Sequence, residues 1–192
     1  QQITYTGKRS PFFINLKFGA DKDGKLLAMK SDWTVDHGPY SEFGDLLTMR
    51  GSQFIGAGYH IPNIRGEGRT VATNHAWGSA FRGYGSPQSL FASEVLMDIL
   101  AEKMGVDPLE LRYKNVYREG STTPSGCEPD VICLPSMIDT MRPHYKKAKE
   151  NAKIKNEKSK DKKYGVGVSL LLYGSGLDGA DSSEAWVELT EN

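Results

Sequence analysis

Trp77-Gly78-Ser79-Ala80-Phe81-Arg82-Gly83-Tyr84-Gly85-Ser86-Pro87-Gln88, followed at once by the apolar-periodic run 89–104, is the stretch around which the chain is organised. Gly83 and Gly85 bracket Tyr84, and Ser86-Pro87 supply an N-cap and a first-turn proline, so a side-chain-poor loop feeds directly into a helix. Unpaired backbone N–H groups and the positive end of the helix dipole converge where glycine lets a ligand approach the main chain, and Arg82 adds a permanent cation. The loop is therefore expected to hold an anion.

Downstream, the helix places Phe91, Val95, Ile99 and Leu100 on a buried stripe, with Glu94, Asp98, Glu102 and Lys103 toward solvent and Gly105 at its end. Asp107-Pro108 opens a second helix through Lys114, and Leu134-Pro135-Ser136 a third that must bend or end at Pro143. Upstream, Phe12 to Phe18 and Leu26 to Val35 alternate on either side of Asp21-Lys22-Asp23-Gly24, which predicts a β-hairpin. That turn has no glutamate at the twelfth position of a calcium loop. Phe43, Leu46, Leu47 and Arg50 share one face of a short helix capped by Ser41; the stretch from Phe54 to Ile64 reads as extended chain and turn, and Arg69 to Thr73 as a short strand. Val166 to Tyr173 reads as a further strand. Gly174-Ser175-Gly176-Leu177-Asp178-Gly179 matches the dinucleotide fingerprint, but the alternation at Glu184 to Leu189 leads it into a strand rather than a helix, so a β-turn is the better reading. The whole is a mixed α/β (α+β) fold of antiparallel hairpins with packed helices.

Composition limits what this fold can do. The 192 residues, 38% hydrophobic and 10% aromatic, suffice for a globular core of one domain or somewhat more. Lys plus Arg equals Asp plus Glu at 24 each, so no net charge draws the chain to nucleic acid or membrane, and no apolar run has membrane-spanning length. The chain opens without Met and closes inside an expected strand, as a piece of a longer protein would. Lys146 to Lys163 reads as a solvated helical tail passing into a linker, its lysines mixed with Glu150, Glu157 and Asp161 and free of aromatics. Cys127 and Cys133 read as free thiols, which points to an intracellular chain. His37, His60, His75 and His144 have no metal-ligand spacing, Ser79, Ser86 and Ser89 lack a paired base, and Pro87 removes an oxyanion donor. Catalysis wholly within the chain therefore has little support.

Three motifs in order carry a resemblance: Tyr59-His60-Ile61-Pro62-Asn63-Ile64-Arg65-Gly66, then 79–88, then Asp107-Pro108-Leu109-Glu110-Leu111-Arg112-Tyr113-Lys114-Asn115. They resemble the xanthine dehydrogenase and aldehyde oxidase family of molybdenum hydroxylases. Phe-Arg-Gly-Tyr-Gly at 81–85, with 174–179, is most similar to the bacterial aldehyde oxidoreductases of that family. The resemblance implies a much longer protein with two iron–sulfur domains ahead of two molybdenum-cofactor domains. Residues 1–147 would be the later part of the first cofactor domain, 148–163 a charged linker, and 164–192 the opening of the second. It implies hydroxylation of aldehydes to carboxylic acids with water-derived oxygen, electrons leaving through the pterin to the iron–sulfur clusters. The implied cofactor is molybdopterin in its cytosine dinucleotide form with molybdenum. The implied partners are an aldehyde, a flavodoxin- or ferredoxin-type acceptor, the rest of the polypeptide and a second copy in a homodimer, in the cytoplasm, with the periplasm left open.

By matching positions, Phe81, Arg82 and Gly83 would bind the cofactor, Arg82 lying near molybdenum through its backbone and not as a side-chain ligand. Phe43, Leu46 and Tyr84 would line a substrate funnel, ordinary core packing being the alternative for Phe43 and Leu46. Arg50 stands fifteen residues before Arg65, where xanthine enzymes carry the arginine that orients the purine; a structural ion pair is the alternative. The base glutamate, most pterin ligands and every iron–sulfur cysteine would lie outside this chain, so it holds no catalytic residue, and alone it is expected to bind no metal and oxidise nothing. The rival readings are a non-catalytic module holding phosphate or sulfate at Arg82, a purine hydroxylase fragment, and a nucleotide enzyme using 174–179.

Overall fold

The alternation on either side of Asp21 folds into the expected hairpin. In the computed structural model, which describes residues 6–40, 42–129 and 131–174, β1 (Phe12–Ala20) runs antiparallel to β2 (Leu26–Asp36), with Phe12 opposite Val35 and Phe18 opposite Met29. The turn is built by the Asp21 carboxylate, which accepts the N–H groups of Asp23 and Lys25 at 2.9 Å each. The bond from Lys25 is the main cause of its lowered pKa.

β3 (Asn63–Val71) adds a parallel strand on the other side of β2, giving the order β1-β2-β3. It begins six residues before the expected strand at Arg69. Gly66 and Gly68 look like breakers in the sequence, but they are there for contact: the Trp33 indole lies over them, and a methyl group on Gly68 would overlap the ring.

Between β2 and β3 the chain passes through α1 (Gly44–Phe54), which turns Leu47 and Phe54 inward. Its N-cap is Phe43, in the left-handed region at φ 57° and without a side-chain cap. The expected cap, Ser41, lies outside the described residues. The helix also takes in Phe54, where extended chain was expected.

α2 (Ser86–Met104) corrects the sequence reading most sharply. Phe91 is 71% exposed and Val95 and Ile99 are also exposed, whereas Leu90, Ser93, Glu94, Met97 and Ala101 face the core. The reason is the neighbour. Ser89 donates to the Gly51 carbonyl at 2.8 Å and Ser93 to that of Ile55, so small hydroxyls satisfy the open carbonyls at the end of α1 and let the two helices approach. Gly105 ends α2 in the left-handed conformation, as expected.

α3 (Pro108–Asn115) is capped by Asp107, whose carboxylate accepts from Leu109 and Glu110. α4 (Leu134–Lys158) neither ends nor breaks at Pro143, and Leu134 and Ile138 fix its start to the core. The segment 164–174 then returns over the molecule. Val168 and Leu170 pack on the main core, with inward and outward residues alternating from Val166 to Leu172, but among the described residues it has no ladder partner. Of the fingerprint at 174–179 only Gly174 is described. The main core joins Leu26, Met29, Tyr59, Met97, Leu109 and Val116, and a second cluster of Trp33, Val35 and Leu47 receives Tyr84. Among the described residues no helix is long and apolar enough to cross a membrane.

Candidate functional site

Three consecutive residues in the left-handed region shape the loop before α2: Gly83 (φ 97°), Tyr84 (φ 45°) and Gly85 (φ 89°). Tyr84 donates its N–H to the Phe81 carbonyl at 2.8 Å; the Gly83 carbonyl accepts from the Ser86 N–H at 3.0 Å and the Ser86 hydroxyl at 2.6 Å. The N-cap is therefore Gly85, and the expected Ser86 cap is replaced by a hydroxyl turned back into the loop. A Cβ at Gly85 would lie 2.7 Å from the Leu47 carbonyl, so the loop rests against α1.

The anion reading is thereby narrowed. The N–H groups of Tyr84 and Ser86 are used within the loop, while among the described residues those of Arg82, Gly83 and Gly85 meet no acceptor, nor does the exposed Arg82 guanidinium. Sequence reasoning missed two neighbours. Arg9 stacks 4.5 Å from the Phe81 ring centroid and donates Nη2 to the Arg82 carbonyl at 2.7 Å, leaving Nη1 buried and unpartnered. Gln88 gives Nε2 to the Ser10 carbonyl at 3.0 Å and keeps Oε1 buried and unpartnered. Arg9 lies 73 residues from Arg82, and no local pattern joins them.

Tyr84 sits on the Trp33, Val35 and Leu47 cluster, where burial and then the Asp45 charge raise its phenol pKa. Phe43 and Leu46 stand at the start of α1, 48% and 42% exposed, so they are not core residues of this chain. Arg82 and Gly83 line a groove of about 840 Å3 shared with Leu90, Phe91, Leu171 and Tyr173. Arg50 has no carboxylate partner among the described residues. Its guanidinium lies 5.1 Å from the Phe54 ring and 5.3 Å from that of Tyr173, donating to Gln53 Oε1 at 3.1 Å and to the Gly174 carbonyl at 2.7 Å.

Beneath the groove is a buried charge cluster that helix periodicity assigned to solvent. Glu94 accepts Arg112 Nε at 2.9 Å, the Tyr59 hydroxyl and the Leu170 N–H at 2.8 Å. Arg112, with a fully buried side chain, also pairs with Asp98 at 2.8 Å and donates to the Pro108 carbonyl at 3.1 Å. Burial, and then the Glu94 charge, raises the Tyr59 pKa well above its ordinary value. Elsewhere His37 is buried between Ser10 and the Glu42 carbonyl, and among the described residues no group of three His, Cys, Asp or Glu could hold a metal. Cys127 is exposed, Cys133 half-buried, and both are free.

Residues 1–116 match the family described as the molybdopterin cofactor-binding domain. The chain is 70% identical over 189 residues to the aldehyde oxidoreductase of Megalodesulfovibrio gigas, covering 98% of this chain and 21% of that protein. Among solved structures it is similar to the aldehyde oxidoreductase from Desulfovibrio gigas (TM-score 0.79, 73% identity, 80% of this chain and 17% of that one). A similar likeness holds for the aldehyde oxidoreductase from Desulfovibrio desulfuricans (TM-score 0.78, 66% identity, 80% and 17%). The chain thus spans about a fifth of the length of these relatives.

Proposed function

Because the chain belongs to the molybdopterin cofactor-binding domain family, we propose that it forms one wall of the molybdenum site in an aldehyde oxidoreductase that converts aldehydes to carboxylic acids. The observation that carries this reading is 70% identity to such an enzyme over almost the whole chain, the Arg82 loop included.

The loop fits the group. The N–H donors at Arg82, Gly83 and Gly85 and the Arg9 Nη1, which meet no acceptor among the described residues, and the α2 N-terminus supply positive potential for an anionic, oxygen-rich ligand. Gly83 and Gly85 supply the positive φ that turns the loop, and their missing side chains make room for Pro87 and for the Leu47 carbonyl. When bound, the molybdenum cofactor supplies a two-electron acceptor and the activation of water-derived oxygen. In this reading Phe81, Arg82 and Gly83 hold and orient the cofactor, and the Arg82 guanidinium favours developing negative charge. Phe43, Leu46 and Tyr84 form an apolar approach for the aldehyde. The engagement of Arg50 by two rings and a carbonyl weighs against an orienting role toward a purine. The base glutamate, the iron–sulfur clusters, the cytosine dinucleotide, a flavodoxin- or ferredoxin-type acceptor and a homodimer belong to this proposal for the full-length protein. So does the division into a first cofactor domain through residue 147, a linker, and a second from 164, although α4 crosses 147 without a break.

The test is Arg82→Ala in the full-length protein, with molybdenum content, aldehyde turnover and melting temperature measured together. Turnover should fall roughly tenfold to a hundredfold with stability unchanged. Unchanged kinetics would remove Arg82 from the site, and a full-length wild type that carries no molybdenum would favour the phosphate-binding alternative.

A further inference from the structure

Resting on that reading, we propose that Glu94 and Arg50 are positioning residues that hold 166–174 as a strap over α2, along one side of the groove that Arg82 lines. The strap alternates inward and outward residues like a strand but, among the described residues, has no neighbouring strand, and it takes side-chain partners for its backbone polar groups. Two are provided. Glu94 accepts the Leu170 N–H at 2.8 Å, and Arg50 donates to the Gly174 carbonyl at 2.7 Å. Between these anchors the Tyr173 ring stacks on Phe54, with centroids 5.3 Å apart and planes 19° from parallel.

Both anchors are themselves fixed. Arg112 and the Tyr59 hydroxyl lock the Glu94 carboxylate, and Gln53 and the two rings lock the Arg50 guanidinium. An apolar residue at 94 would fill the same space without the cost of desolvating a carboxylate. Only an acceptor at that place joins donors from three separate segments, around 59, 112 and 170. The strap, through Leu171 and Tyr173, forms one side of the groove whose other side holds Arg82, Gly83 and Pro87. A shift of the strap therefore changes the width of the space beside Arg82.

The experiment uses the full-length protein with Leu170→Ala, Leu170→Pro and Arg50→Met. Ala removes the Leu170 side chain and keeps its N–H, whereas Pro also removes the N–H and suits an extended chain. Relative to Leu170→Ala, Leu170→Pro should speed amide hydrogen exchange across 166–174 by roughly tenfold or more. It should also lower kcat by roughly tenfold with the aldehyde KM within about twofold, since the misplaced group acts in the transition state. Arg50→Met should do the same relative to wild type. Faster exchange with an unchanged kcat would make the strap a merely structural hold, and unchanged exchange would deny the hydrogen bond; either result overturns the proposal. A wild type without molybdenum would instead overturn the reading on which it rests.

Discussion

Arg112 and Glu94 lie eighteen residues apart on two helices and meet with almost no solvent at either side chain. Removing one partner of such a pair leaves a charge buried without compensation, so Arg112→Ala should cost about 3–5 kcal/mol, read from the denaturant midpoint. The i, i+3/i+4 spacing on α2 groups Glu94 with Asp98 correctly, but it does not say which face another element covers. Trp33 and Gly68 make the same point with opposite polarity. A glycine that reads as a turn signal is there because an indole occupies the space of its side chain. Gly68→Ala should therefore destabilise the protein by about 1–3 kcal/mol through overpacking, with the change confined to stability and no effect on KM.

The elements were legible where their signals are local. Asp107-Pro108 announces α3 because a carboxylate one residue before a first-turn proline can accept the otherwise unpaired N–H groups of Leu109 and Glu110. Asp107→Ala should cost about 1 kcal/mol by loss of the cap, whereas Lys149→Met, which only breaks the exposed 2.7 Å pair with Asp107, should cost about half of that or less. Both are checked by thermal melts of the full-length variants. The end of α4 was not legible. Proline removes one N–H and crowds the preceding turn, yet the helix continues because its flanks around Pro143 are exposed and water can take the freed carbonyl. The strap misled in another way. Its period of two was real, but among the described residues it has no ladder partner, and the Leu170 N–H and the Gly174 carbonyl are met by side chains on α2 and α1.

At the scale of the whole molecule, buried phenols couple stability to alkaline pH. Burial pushes Tyr117 up to about 12, and Tyr59 is also raised. In the unfolded chain both phenols lose their protons near 10, so between about pH 10 and 12 the native state binds more protons. Stability is thus fully present below pH 10 and falls as pH rises through that window, by about 1.4 kcal/mol per unit for each such tyrosine. Tyr117→Phe should remove one of these contributions and flatten the fall of melting temperature above pH 10. The exposed apolar residues Phe91, Val95 and Ile99 belong to this scale too, since the chain spans 21% of its relative's length. By itself the sequence determined the hairpin, the caps at Asp107 and Gly105, and the glycine–arginine loop opening α2, because each follows from spacing and backbone preference within a few residues. Only the tertiary structure decided which face of α2 is buried, that Glu94, Arg112 and Tyr59 share one site, and that Arg9 and Gln88 bring unpaired polar atoms to the Arg82 loop. Those outcomes depend on contacts between segments up to 78 residues apart, where packing and desolvation outweigh any local pattern.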